Sequence, residues 1–178
     1  LKYQIIPHLK EVLAEFSIPV LFISHDLEEM RLMTEEVLVL NNGVIEQQIS
    51  TEQLARQKLG HPTAGYTNIL HLENPQSYGK LLGYTWGEIP LMLLNEEHPQ
   101  QGEFALNSRD ILLFKKHPEA ASARNILPCT VKNTYQTEWL VGVELDCQGN
   151  SLIAEIVPQS LEELDIQSGS EVVAVFKA

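Results

Sequence analysis

The chain has 178 residues, room for one domain or two small ones, and 44% of them are apolar, enough for an ordinary buried core. Its 24 acidic residues against 12 basic ones give a formal net charge of −12, which excludes general nucleic-acid binding through a basic surface. The same field repels anions, so any anion site has to rest on a few local donors.

Leu9, Val12, Leu13 and Phe16 fall at helical spacing and predict a helix from near Pro7, a residue suited to a first turn, to Phe16. Pro19-Val20-Leu21-Phe22-Ile23 is a continuous apolar run of strand length, the pattern of a strand buried on both faces. Asp26 is placed to cap a second helix running to Met33. Val37 to Leu40 and Val44-Ile45 flank Asn41-Asn42-Gly43, a strong hairpin signal, and Thr51 to Leu59 reads as a closing helix. Residues 1–59 therefore have α/β grammar, and 60–66, containing Gly60-His61-Pro62-Thr63-Ala64-Gly65, form a helix stop and linker.

Beyond the linker the pattern is mostly β. Residues 67–118 predict a first β subdomain whose clearest strand is Asp110 to Phe114. In 119–178, Val141, Val143 and Leu145 alternate with polar or small residues. Gln148-Gly149-Asn150 then turns into a strand through Leu152, Ala154 and Ile156, and Val172 to Phe176 is a last strand. Ser160 with Glu163 reads as a capping box for one short helix, and Gly169 follows its end. Short strands with one brief helix predict an OB-like, five-stranded barrel. Asn68-Ile69-Leu70 recurs as Asn125-Ile126-Leu127, and Tyr78 matches Tyr135 at the same offset of 57, a weak internal repeat.

Cys129 and Cys147 are the only cysteines, with no C-x-x-C pattern, and read as two reduced apolar residues of a cytosolic protein. No apolar run has the length of a membrane span and no signal peptide opens the chain, so the location is most simply cytoplasmic. Leu1 in place of an initiator Met points to a fragment of a longer protein. No metal-ligand spacing occurs: Glu96-Glu97-His98 and Glu28-Glu29 read as solvated carboxylates, and His8, His61, His71 and His117 as surface residues. Trp86 and Trp139 read as packing or interface residues, because no basic groove accompanies them.

Ser24-His25-Asp26 directly after the apolar run, then Leu27-Glu28-Glu29-Met30 and the Val37 to Glu46 hairpin, resemble the C-terminal end of an ABC-transporter ATPase domain. The resemblance implies that His25 is the switch histidine contacting the γ-phosphate of ATP in the intact parent, where ATP with Mg is the cofactor. An imidazole N–H beyond a strand's carboxyl end can donate to developing phosphoryl charge. No G-x-x-x-x-G-K-[ST] occurs anywhere, and the family's signature sequence and Walker B carboxylates are also missing.

The segment from Ser122-Ala123-Arg124-Asn125-Ile126-Leu127 through Ala154-Glu155-Ile156 and Ser160 to Leu164, ending at Val175-Phe176-Lys177-Ala178, resembles a Mop/TOBE-type molybdate-binding domain. Together the two resemblances imply the C-terminal part of the ATP-binding subunit of a molybdate importer. They imply a homodimer bound to membrane permease subunits at the cytoplasmic face of the bacterial inner membrane, with molybdate or tungstate as ligand and no nucleic-acid partner. The site residues would be Ser122, Ala123, Arg124 and Lys177. Molybdate is a tetrahedral dianion with acceptors only, so its site must supply donors and offset its desolvation. The Ser122 hydroxyl, the backbone N–H groups of Ala123 and Arg124, the Arg124 guanidinium and the Lys177 ammonium are of that kind. The family pattern puts such sites between barrels. It often has a hydroxyl residue where this chain has Val157, and a serine after the final Lys-Ala.

Two further readings are a purely structural dimerisation barrel on an importer ATPase for another substrate, and a free-standing molybdate store, which leaves the segment around His25 without a purpose. Because the phosphate cradle is missing, the 178-residue chain is predicted to show no ATP turnover. A phosphate-release assay on purified chain, free of contaminating ATPase, checks this.

Overall fold

A computed structural model describes residues 2–16, 19–57, 59–60, 65–94 and 102–178, with the backbone alone at 2–5 and 7. It divides into two units, Leu1–Gln57 and Lys58–Ala178, each described by itself. The run Glu96-Glu97-His98, read as solvated, and most of the predicted linker, including His61, lie outside the described residues.

In the first unit, helix α1 spans Lys2–Phe16 and so begins before Pro7 instead of at it. Buried Ile6 with half-buried Leu9 and Leu13 carries the apolar stripe back past the proline, which explains the longer helix. Residues 19–23 have no regular secondary structure and belong to no sheet, and Leu21 and Ile23 are 84% and 83% exposed. The expected buried strand is thus corrected. An apolar run becomes a strand only where neighbours supply ladder hydrogen bonds, and no described residue does so here. Helix α2 (Leu27–Met33) is capped as predicted, with the Asp26 carboxylate accepting from the N–H groups of Glu28 at 3.0 Å and Glu29 at 3.2 Å. Strands β1 (Glu36–Asn41) and β2 (Val44–Ser50) form the predicted hairpin around Asn42 and Gly43, whose φ values of 48° and 80° suit a primed turn. Helix α3 (Thr51–Arg56) opens on a capping box between Ser50 and Gln53 and stops three residues short of the predicted Leu59. Glu52 binds Arg31 of α2 at 2.8 Å and Arg56 of α3 at 2.9 Å, tying the two helices together.

The second unit is mostly β, of the OB-like kind read from the sequence. Its strands are β3 (Thr67–Tyr78), β4 (Leu81–Trp86), β5 (Ile89–Leu94), β6 (Gly102–Asn107), β7 (Leu112–Phe114), β8 (Asn125–Gln136), β9 (Val141–Cys147), β10 (Asn150–Ile156) and β11 (Glu171–Phe176). A 3-10 turn at Ser108–Asp110 precedes β7, and helix α4 (Pro158–Glu163) precedes β11. One sheet has the order β5-β4-β3-β6 and the other β10-β9-β8-β11-β7. The two halves repeat each other. Long bulged strands β3 and β8 each pair with a following hairpin, β4-β5 or β9-β10, and with a returning strand, β6 or β11. A shared core runs through both sheets, from Leu70, Leu72, Tyr84, Trp86 and Leu91 to Val131, Val143, Leu145, Leu152 and Phe176. Trp86 is therefore a packing residue, whereas Trp139 is 60% exposed.

The repeated Asn-Ile-Leu marks the join between the halves. Asn68, on β3, is 4% exposed; it donates from Nδ2 to the Ile153 carbonyl at 2.9 Å and accepts at Oδ1 from the Ile153 N–H at 2.7 Å. Asn125, on β8, is 1% exposed and does the same to Met92 of β5, donating at 2.9 Å and accepting at 2.7 Å. Each asparagine thus gives the edge strand of the opposite half a side-chain copy of a ladder partner.

Two further expectations are corrected. Helix α4 starts with Pro158 at its first turn and Val157 as N-cap, with no side-chain cap hydrogen bond, so Ser160 lies inside the helix and the Ser160–Glu163 capping box is not formed. Cys129 on β8 and Cys147 on β9 are not two reduced thiols but a disulfide, their Cα atoms 4.5 Å apart. The register of β8 with β9 sets them opposite one another, which a separation of 18 residues along the chain cannot reveal.

Replacing Asn68 or Asn125 by Ala strips a strand's N–H and C=O of their partners and is expected to cost about 2–4 kcal/mol each. The larger loss is expected at Asn68, whose partner Ile153 is buried while Met92 is half-buried; urea unfolding of the two variants checks both the size and the order. Asp146 offers a second check. Gly149 donates its N–H to this carboxylate at 2.7 Å and Lys132 lies 3.2 Å away, and these partners hold its pKa below the ordinary aspartate value. Its contribution to stability is present above the ordinary aspartate range and is lost as pH falls through the lowered folded value. An NMR titration should give Asp146 a midpoint below that of an unpaired aspartate, rising towards it in Lys132→Ala.

Candidate functional site

Ser122, Ala123 and Arg124 lead directly into β8, and Lys177 directly follows β11. Those strands are antiparallel with Asn125 opposite Phe176, so Arg124 and Lys177 stand at the same end of the sheet. Asn125 fixes this end from beneath, donating to the Lys177 carbonyl at 3.1 Å while it holds Met92. The four predicted residues thus share one sheet end within a single chain. Ser122, Arg124 and Lys177 are exposed and Ala123 is half-buried. Among the described residues, no hydrogen bond or ion pair engages the Ser122 hydroxyl, the Arg124 guanidinium or the Lys177 ammonium. Chemically this end offers donors and positive charge, the requirements of an oxyanion.

His25 belongs to the first unit, on the turn that opens α2. The turn is pinned on both sides of it: Ser24 Oγ donates to Glu29 at 2.6 Å and accepts from the Asp26 N–H at 3.0 Å. The imidazole itself is exposed. The described residues include no group of three or more His, Cys, Asp or Glu able to hold a metal.

Glu155 is the polar residue that reading the sequence for function missed. It lies on β10 with its side chain fully buried. Its carboxylate accepts from the N–H of Gly60 at 2.7 Å, the N–H of Tyr66 at 2.8 Å and the Ser108 hydroxyl, with Arg109 Nε at 3.9 Å. Gly65 makes room for this: a Cβ there would lie 2.5 Å from Asn107 Oδ1 and 3.0 Å from both Glu155 Oε2 and Ser108 Oγ. The available signal was a charge inside the apolar run Leu152-Ile153-Ala154-Glu155-Ile156. A separate cleft of about 630 Å³ includes Lys115, Lys116, His117, Cys129, Asp146 and Glu171 in its lining. It mixes both signs of charge and contains none of the four predicted oxyanion residues.

Comparison with known proteins adds to this geometry. The TOBE domain family matches residues 121–178. A molybdenum import ATP-binding protein, ModC, of Escherichia coli O6:H1 is 28% identical over 99% of this chain, and its counterpart in Escherichia coli K12 is 27% identical over the same share. The chain spans 52% of the length of these relatives. Among solved structures, the cytoplasmic molybdate-binding protein ModG superposes with a TM-score of 0.51 at 20% identity, covering 66% of this chain and 94% of its own, a likeness of fold. With the sheet order and the position of Ser122 to Asn125 at the head of β8, these matches identify residues 121–178 as a TOBE domain, in a chain similar over nearly its whole length to molybdenum import ATP-binding proteins.

Proposed function

We propose that this chain is the C-terminal part of the ATP-binding subunit of an ABC importer for an oxyanion. Its TOBE domain binds molybdate or tungstate through Ser122, Ala123, Arg124 and Lys177, and occupancy regulates transport. The observation that carries the reading is the convergence of Arg124 and Lys177 at one end of the β8–β11 pair, with their charged groups and the Ser122 hydroxyl unengaged among the described residues. Local donors of this kind can hold a dianion against a net charge of −12, because hydrogen bonds from charged groups act at short range while the general field is screened.

In the complete protein, His25 contacts the γ-phosphate of ATP bound with Mg. The described residues contain no phosphate cradle, so nucleotide binding belongs to the complete protein alone. A second copy and membrane permease subunits are the partners, at the cytoplasmic face of the bacterial inner membrane. No helix among the described residues is long and apolar enough to cross a membrane. Regulation requires that the bound anion prefer one arrangement of the paired subunits over another. One observation favours a second reading, a structural barrel on an importer for another substrate. At the head of α4, where the family often has a hydroxyl residue, Val157 presents an apolar side chain 46% exposed.

Calorimetric titration of the chain with molybdate and tungstate, and with sulfate for comparison, separates the two readings. Saturable binding is expected. Arg124→Ala and Lys177→Ala are each expected to weaken it by about tenfold or more, the worth of one charge-assisted hydrogen bond. No binding by the unsubstituted chain overturns the oxyanion reading in favour of the structural one.

A further inference from the structure

The two halves of the second unit can be aligned position by position. Along the long strands, Asn68 and Asn125 are equivalent by their matching hydrogen bonds, so Tyr66 corresponds to Ala123 and Gly65 to Ser122. Along the hairpins, two independent registers agree. Ile153 and Met92 are the respective partners of the two asparagines. Trp86 opposite Ile89 and Cys147 opposite Asn150 close two-residue turns at that same offset. Both registers make Leu94 of β5 the counterpart of Glu155 of β10. Along the returning strands, Leu106 opposite Asn68 and Phe176 opposite Asn125 make Asn107 and Ser108 the counterparts of Lys177 and Ala178.

The buried Glu155 carboxylate therefore sits on the N–H of Tyr66, the counterpart of Ala123, and on the hydroxyl of Ser108, beside the counterpart of Lys177. The first half thus already holds an anion where the second half is read to take one. At the second position the counterpart of Glu155 is Leu94, 64% exposed and without a charge. We propose that Glu155 is a built-in ligand filling one of two equivalent anion positions, so that each chain keeps a single open oxyanion site and Leu94 is the residue that leaves it open. The open-site half of this inference rests on the function proposed above; the filled half does not.

Two measurements on the full chain test the two halves. Glu155→Ala empties a carboxylate-sized space lined by the N–H groups of Gly60 and Tyr66 and by Ser108. Its melting temperature is expected to fall, and about 0.1 M sodium formate should recover about half the loss where sodium chloride of equal strength does not. The unsubstituted chain should respond to the two salts alike. Formate acting no better than chloride on Glu155→Ala overturns the filled half. Leu94→Glu, an exposed change that does not threaten folding, supplies the second position with its own carboxylate. It is expected to weaken tungstate binding by at least about tenfold, while Leu94→Gln stays within about twofold. Equal tungstate affinity in the two variants overturns the open half. If the unsubstituted chain binds no tungstate, the proposed function fails with it, and the formate comparison alone decides whether Glu155 fills an anion position.

Discussion

A primary amide carries one carbonyl and one NH2 group, the same pair of functions as a peptide unit, and the second unit depends on that likeness. Strands β5 and β10 are the outer strands of their sheets, each with a row of backbone groups beyond the reach of its own hairpin partner. Asn68 and Asn125 reach across and answer one residue of that row each. An aspartate of the same length could not donate, and an aliphatic residue could do neither, so the position calls for a primary amide. Because the bonds fix which residue meets which, they also set Tyr66 beside Glu155 and the Ser122–Arg124 turn beside the end of β5.

Some of this was legible in the chain. The hairpin at Asn42-Gly43 and the cap at Asp26 are local devices, written in neighbouring residues, and both form where their chemistry requires. The matching Asn-Ile-Leu triplets disclosed a repeat, but not that their asparagines bridge it, since Ile153 and Met92 lie far from them in sequence. The same distance hid Glu155, whose donors come from Gly60, Tyr66 and Ser108. Residues 19–23 show the reverse error. Their apolarity was read correctly, but a strand is a relation between segments, and no partner segment lies among the described residues. The pairing of Cys129 with Cys147 is likewise a matter of register, which composition does not contain.

On the function proposed above, the two similar strand ends treat the same kinds of donor differently. Backbone N–H groups and hydroxyls attract anions whatever the sign of the whole molecule, because the dipoles act within a few ångströms. At one end the chain satisfies them internally and buries the result. At the other end the corresponding turn stays at the surface, with a guanidinium and an ammonium added. On that proposal, one half of the repeat serves architecture and the other recognition, with the same pairing pattern in both.

Strand β7 belongs to the first half by sequence, yet it lies along β11, with Phe114, Leu113 and Leu112 opposite Val173, Ala174 and Val175. The segment that matches the TOBE family begins at residue 121, after that strand. The matched segment and the sheet therefore differ by one strand. A piece cut at the family boundary would leave β11 as an open edge of valines and alanine, free to take a strand from another molecule. In this chain β7 pairs with that edge, so the strand just before the family's border completes the sheet.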